Sequence, residues 1–233
     1  MYEAVHAHPD GASTAARLVD TAARVGYEGV VIRGETASPD HAALRDSAGI
    51  DVVDAVEIVA PDPERASGAV GGERPDHTLI CVRGGTDRLN RFAVENDRVD
   101  VLTRPMDGEG DVNHVLAKRA ADNGVRIEFD FGPVLRSTGG ERVRALRNLR
   151  KLRELVADAD APYVVSATPD SHLDLRAPRE LVAVGEVIGF DAETVRTGLR
   201  EWGALAERNR HRQSDSFVSP GVERGRYEES QDS

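Results

Sequence analysis

The stretch DVNHVLAKRAADNGVRIEFDF, residues 111–131, is where the fold is read. Its first half predicts a helix over Asp111–Asn123, with Asp111 as the capping side chain and Asn123-Gly124 as the stop. Glycine ends helices well because it accepts the left-handed conformation without a Cβ penalty. Its second half, Val125–Phe131, changes to the short apolar run of a strand. A helix handing over to a strand across one glycine is half of a βαβ unit.

The same alternation extends outward in both directions. Upstream, strands are expected at Glu3–His8, Gly29–Arg33, Val52–Ala60, Thr78–Arg83 and Val99–Thr103. Helices fall between them at Ser13–Val25 (capped by Ser13 or Asp10, ended by Gly26), Pro39–Ala48 (capped by Ser38) and Asp87–Asn96. Pro61–Asp76 is rich in Pro and Gly and reads as a loop with at most one irregular turn. Downstream come a helix at Gly140–Ala157, the longest expected, a strand at Tyr163–Ala167, and helices at Pro178–Ile188 and Ala192–Arg208. Residues 1–208 are expected to form one α/β domain. Residues 209–233 are polar, bury too little surface to offset their ordering entropy, and are expected to be disordered.

About seven parallel strands with outer helices predict a distorted TIM-type β/α barrel. A doubly wound open sheet is the alternative. The first βα turn, His8-Pro9-Asp10-Gly11, lacks the GxGxxG of a dinucleotide fold, and the chain has no P-loop. The start has no signal-peptide pattern and no apolar run is long enough for a membrane span, so a cytoplasmic protein without a membrane partner is expected. The single Cys81 rules out a disulfide framework and a multi-cysteine zinc site. Flanked by apolar residues on a strand, it is expected to be a buried structural thiol. Trp202, near Leu199 and Leu205 at helical spacing, is expected to pin the last helix to the body.

Acids outnumber bases 41 to 30, for a net charge of −11, and only Lys118 and Lys151 are lysines. Such an acidic, lysine-poor surface fits a cytoplasm rich in KCl. Against that background one segment reverses sign. Arg136, Arg142, Arg144, Arg147, Arg150, Lys151 and Arg153 are opposed only by Glu141 and Glu154, about +5 locally. Leu146, Leu149 and Leu152 share one side of the helix, with Arg144, Arg147 and Lys151 opposite. Guanidinium forks so presented can grip phosphates bidentately; an ordinary solvated helix and a dock for an acidic protein are the other readings. His114 and Lys118 stand at i and i+4 on one helix, placed to contact a phosphate or a base. Arg176 and Arg179 bracket Pro178 after a strand, on the rim where barrel sites are built, and Arg33, Arg83 and Arg104 follow strands towards the same rim.

Two motifs then carry a resemblance. Asp111-Val112-Asn113-His114-Val115-Leu116-Ala117-Lys118, continuing through Asn123-Gly124-Val125 and Ile127-Glu128-Phe129, is similar to the ribonuclease P protein component 3 family. So is Asp174-Leu175-Arg176-Ala177-Pro178-Arg179-Glu180-Leu181, running on to Val187-Ile188-Gly189-Phe190. Tyr2…His8-Pro9 and Gly26-Tyr27-Glu28-Gly29-Val30 are weaker matches, and the resemblance covers roughly residues 1–206. It implies a barrel distantly similar to the polymerase-and-histidinol-phosphatase (PHP) phosphoesterases. It also implies contact with ribonuclease P RNA and pairing with a small RRM-like protein subunit among the other ribonuclease P proteins. Precursor transfer RNA would be met indirectly. The chain would serve within the holoenzyme without catalysing: cleavage would belong to the RNA and its Mg²⁺, with no cofactor in the chain. The RNA-contacting residues expected are His114, Lys118, Arg136, Arg144, Arg147, Lys151, Arg176 and Arg179.

A rival reading is a stand-alone PHP-type metal-dependent phosphoesterase. His6 and His8 alternate on a strand, so both can face one metal, and Asp170 and His172 supply a DxH. Asp76-His77, Glu35 and His41 would complete such a set.

Overall fold

The computed structural model describes residues 1–214 together with 217–219 and 222–223. Along the chain run β1 (Tyr2–Val5), α1 (Ala15–Val25), β2 (Gly29–Gly34), α2 (His41–Ala48), β3 (Asp51–Ile58), α3 (Pro63–Glu73), β4 (Leu79–Arg83) and α4 (Asp87–Glu95). There follow β5 (Val101–Thr103), α5 (His114–Asn123), β6 (Arg126–Asp130), α6 (Gly132–Arg136), α7 (Gly139–Asp158), β7 (Tyr163–Ser166), α8 (Pro178–Ile188) and α9 (Ala192–Gln213). A short antiparallel pair, β8 (Phe217–Ser219) and β9 (Val222–Glu223), comes last.

Strands β1 to β7 pair in sequence order and all in parallel. The order never reverses, which excludes the doubly wound sheet and gives a nearly closed TIM-like barrel. Alternation along each strand sorts the side chains. Val30, Ile32, Val52, Ile80, Val82, Leu102, Ile127 and Phe129 join the core under the helices. Ala4, Val31, Val53, Ala55, Leu79, Cys81, Val101 and Val164 form a second cluster with Trp202, Leu205 and Ala206 of α9. Cys81 is fully buried, and burial pushes its thiol well up, as expected of a structural cysteine.

No ladder joins β1 to β7, so both strands have edge groups to satisfy at the seam. Side chains do this. The Trp202 indole N–H donates to Val165 O at 3.0 Å, and Ala167 N–H donates to the Glu3 carboxylate at 2.9 Å. Glu3 also accepts from Ala4 N–H and the Tyr27 hydroxyl. It has no cationic partner among the described residues, and burial lifts its pKa to about 8 despite these hydrogen bonds. Helix α9 approaches closely because its glycines leave room: a Cβ on Gly198 would lie 2.5 Å from Val165 Cγ2, and one on Gly203 would collide with the Tyr2 ring.

Several expectations are corrected. Pro61–Asp76 is not a loop but carries α3. Asp62 accepts from Arg65 N–H as N-cap, Pro63 opens the first turn, and Ala66 and Val70 are buried at i, i+4. Proline here starts a helix, because the first-turn N–H groups need no intrahelical partner. The caps are Asp40 rather than Ser38 and Asn113 rather than Asp111, whereas Thr14 at the start of α1 makes no side-chain cap bond. β1 ends at Val5. The domain limit at Arg208 is too early, since α9 continues to Gln213 and is longer than α7. Asn209 is buried and donates to Thr78 O and Asp100, while Arg208 pairs with Asp100 at 3.0 Å and Arg210 with Asp51 at 2.8 Å. Polar residues therefore hold α9 to the strand starts. The rest of the predicted disordered tail, residues 215–216, 220–221 and 224–233, lies outside the described residues.

Candidate nucleic-acid interface

The mouth of the barrel, at the C-terminal strand ends, is filled by the protein's own charges. Arg33 is fully buried and its guanidinium pairs with Glu128 at 2.8 Å and Glu57 at 4.0 Å. It also lies 5.7 Å from the Trp202 ring centroid, within cation–π range. Glu57 further binds Arg83 at 2.5 Å, Thr103 Oγ1 at 2.7 Å and His6 Nε2 at 3.1 Å. Burial alone would raise the Glu57 pKa, but Arg33, His6 and Arg83 hold it well below the usual carboxylate range. Glu128 has fewer partners: burial raises its pKa, and besides Arg33 it accepts from Ser166 Oγ at 2.5 Å. Arg104 approaches Asp130 at 3.6 Å. Arg33, Arg83 and Arg104 thus do stand towards the rim, but as internal counter-ions rather than cations offered to a ligand.

The rival metal set does not converge. His6 is buried against Glu57, while His8 and Asp170 are exposed. His172 Nδ1 lies 2.8 Å from Ser13 Oγ. His77 and His41 belong to another cluster, with Asp54 and Glu73. Among the described residues, no three His, Cys, Asp or Glu side chains are placed to share a metal ion.

The basic helix α7 packs Leu149, Leu152 and Val156 inward, as the leucine spacing predicts. Its cations divide by helical position. Arg150 donates to Val187 O of α8 at 3.0 Å. On the opposite flank Asn148 reaches Met106 O and Lys151 pairs with Asp111 at 2.5 Å, so this side faces the segment leading into α5. Arg144 and Arg147 lie between, exposed and without a side-chain partner among the described residues. Arg153 is half-buried near Glu154 at 4.0 Å. The apparent local excess of about +5 therefore reduces, on this face, to two free guanidiniums and a paired lysine.

Helix α5 completes the face. Leu116, Ala117 and Ala120 are buried, and Asn123 donates to Val94 O of α4, fixing the α4 side. By the helical repeat, His114 and Lys118 lie on the other flank, towards α7. Both are exposed and unpaired among the described residues. Two motifs separated in sequence thus share one outer surface. Beside α7, along the segment that leads into α5, runs a groove of about 680 Å³ lined in part by Gly108, Glu109, Asp111, Glu141, Arg144, Arg147 and Lys151.

The remaining expected contacts are mostly engaged. Arg136 donates to Ala167 O at 2.8 Å and Thr168 O at 3.2 Å, tying α6 to the end of β7. Arg176 donates to Leu173 O and Leu175 O. Arg179 is exposed and unpaired among the described residues, in the first turn of α8, where Pro178 is at N1 and Glu180 closes back on Ala177 N–H. Sequence reasoning missed the Arg33–Glu57–Glu128 network. Its signal was present, since all three interrupt apolar strands at inward-facing parity.

Fold and site define a TIM-like barrel whose mouth is internally neutralised and whose free cations lie on the outer helix layer. A model of the family described as RNase P subunit p30 matches residues 1–214, and the chain belongs to that family. Ribonuclease P protein component 3 of Halorubrum lacusprofundi is 64% identical, the match covering 98% of this chain and 99% of that protein. Its counterpart in Haloarcula marismortui is 60% identical, covering 95% and 96%. Among solved structures, a chain of an archaeal ribonuclease P determined by cryo-EM with mature transfer RNA superposes with a TM-score of 0.84. That match has 22% identity and covers 98% of this chain and 99% of that one.

Proposed function

We propose that this chain is a non-catalytic, RNA-binding subunit of ribonuclease P, the ribonucleoprotein that removes the 5′ leader of precursor transfer RNA. Its partners are the ribonuclease P RNA, a small RRM-like protein subunit and the other proteins of the particle, with precursor transfer RNA met indirectly. Cleavage belongs to the RNA and its Mg²⁺. The chain holds the RNA in a competent shape and so lowers the Mg²⁺ it requires. The observation that carries this reading is the strip formed by Lys118 of α5 with Arg144 and Arg147 of α7, exposed cations without a side-chain partner among the described residues of a chain of net charge −11, with the exposed imidazole of His114 one turn from Lys118. Arg136, Lys151 and Arg176 act more by positioning the surface than by direct grip, because each is already hydrogen-bonded or ion-paired within the chain.

The setting is a cytoplasm rich in KCl, which the acidic, lysine-poor surface suits. Counterion release contributes little there, so bidentate arginine contacts and the avidity of a multi-subunit particle must supply the affinity. The test is co-purification of a tagged chain from its own cells at working salt. Ribonuclease P RNA and small proteins should accompany it. Recovery of the chain alone, with stoichiometric metal and phosphoesterase activity, would overturn the reading.

A further inference from the structure

We infer that the α5–α7 strip recognises the backbone of base-paired RNA rather than unpaired nucleotides. The inference rests on the RNA-binding reading above and specifies which form of RNA the strip fits. Proteins that hold single strands stack the bases on aromatic rings or guanidinium planes, whereas base-paired RNA is gripped through its shape, phosphates and 2′-hydroxyls.

Helices α5 and α7 carry no Phe, Tyr or Trp ring on which a base could stack. Tyr27, Phe129, Phe131 and Trp202 are buried, and Phe190 and Tyr163 are packed against Phe129 with ring centroids 4.9 Å and 5.7 Å away. Tyr2 and Phe92 are half-buried on other parts of the surface. None of these rings belongs to α5 or α7.

The cations are arranged for phosphates. Arg144, Arg147 and Lys151 follow one another along a single helix at axial steps of about 4.5 and 6 Å, from the helical rise. Arg144 and Arg147 are exposed without a side-chain partner among the described residues, so their forks are free to close on phosphate oxygens. The Lys151–Asp111 pair ties the segment before α5 to α7. The exposed apolar groups on these helices, Val115 and Val143, are small and β-branched, able to pack against a ribose but not to replace a ring.

Fluorescence anisotropy of the full chain tests this, using an RNA hairpin and an unstructured uridine strand with equal numbers of phosphates. Binding is followed as KCl is raised. The hairpin should bind several-fold more tightly. At about 0.9 per phosphate contact, a value established for duplex DNA, Arg144→Ala/Arg147→Ala should remove about 1.8 from the slope of log K against log [KCl]. Both side chains are exposed, and an unchanged circular dichroism spectrum confirms the fold. Equal or tighter binding of the uridine strand, or a slope untouched by the double substitution, overturns the inference while leaving RNA binding standing. Binding to neither RNA overturns this inference and the functional reading together.

Discussion

Arg33→Met asks how much the mouth of the barrel depends on its internal cation. Methionine keeps much of the apolar stem but removes the charge from a side chain that is fully buried. Glu57 would retain Arg83, Thr103 and His6. Glu128 would retain, among the described residues, only Ser166, so it is the group left charged, buried and under-paired. Breaking one side of a buried ion pair costs about 3–5 kcal/mol. For a chain of this size, each kcal/mol corresponds to roughly 2–4 °C, so Tm should fall by about 6–20 °C. The loss should depend on pH. Burial already raises the Glu128 pKa, and removing Arg33 raises it further. An acid whose folded-state pKa exceeds its unfolded value binds its proton more tightly when folded. The destabilisation should therefore be largest above that pKa and shrink as pH falls through it. Thermal unfolding by circular dichroism, at fixed KCl and two pH values, reads both effects. Arg33→Met/Glu128→Gln should recover most of the loss at neutral pH. A loss below about 1 kcal/mol, the size of a surface pair, would refute the reasoning, as would a loss independent of pH and of Glu128.

Substitutions at two further positions probe the seam between β1 and β7. The Glu3 pKa of about 8 lies above the ordinary value of 4.5, so its contribution to stability is fully present below that value and is lost as pH rises through 8. Glu3→Gln keeps an oxygen for Ala167 N–H and should flatten this decline in urea unfolding; parallel curves for the two proteins would contradict the assignment. Trp202→Ala should cost about 3–5 kcal/mol, because it opens a cavity and leaves Val165 O without its donor. Trp202→Phe, which fills space without donating, should recover part but not all of that cost by the same measurement.

Much of the barrel was legible in the sequence because apolar strands and glycine stops are local signals. Gly124 takes φ 66° at the end of α5, and Gly26 and Gly189 close α1 and α8 in the same way. The miss at α3 has an equally local cause: the Pro- and Gly-rich composition of Pro61–Asp76 suggests a loop, whereas Asp62 as cap makes Pro63 a helix initiator. The end of α9 was hidden for a different reason. Arg208, Asn209 and Arg210 look like a solvated tail, and only the fold brings Asp100 and Asp51 to meet them. The site divided along the same line. Helical spacing correctly put Arg144, Arg147 and Lys151 opposite the buried leucines. Pairing across the fold could not be foreseen, and it engages Lys151 with Asp111, Arg136 with the end of β7, and Arg33 with two glutamates 24 and 95 residues away. Charge counted along the chain therefore overstated the cationic surface.

The claim that outer cations, and not the mouth of the barrel, carry the function is tested most directly by reconstitution. Cleavage of precursor transfer RNA by the cognate RNA and its companion proteins would be followed at limiting Mg²⁺, with and without this chain. Wild-type protein and His8→Ala, which alters an exposed mouth residue, should stimulate cleavage equally, while Arg144→Glu/Arg147→Glu should lose most of the stimulation. Full stimulation by the double substitution, with loss on His8→Ala, would contradict the account.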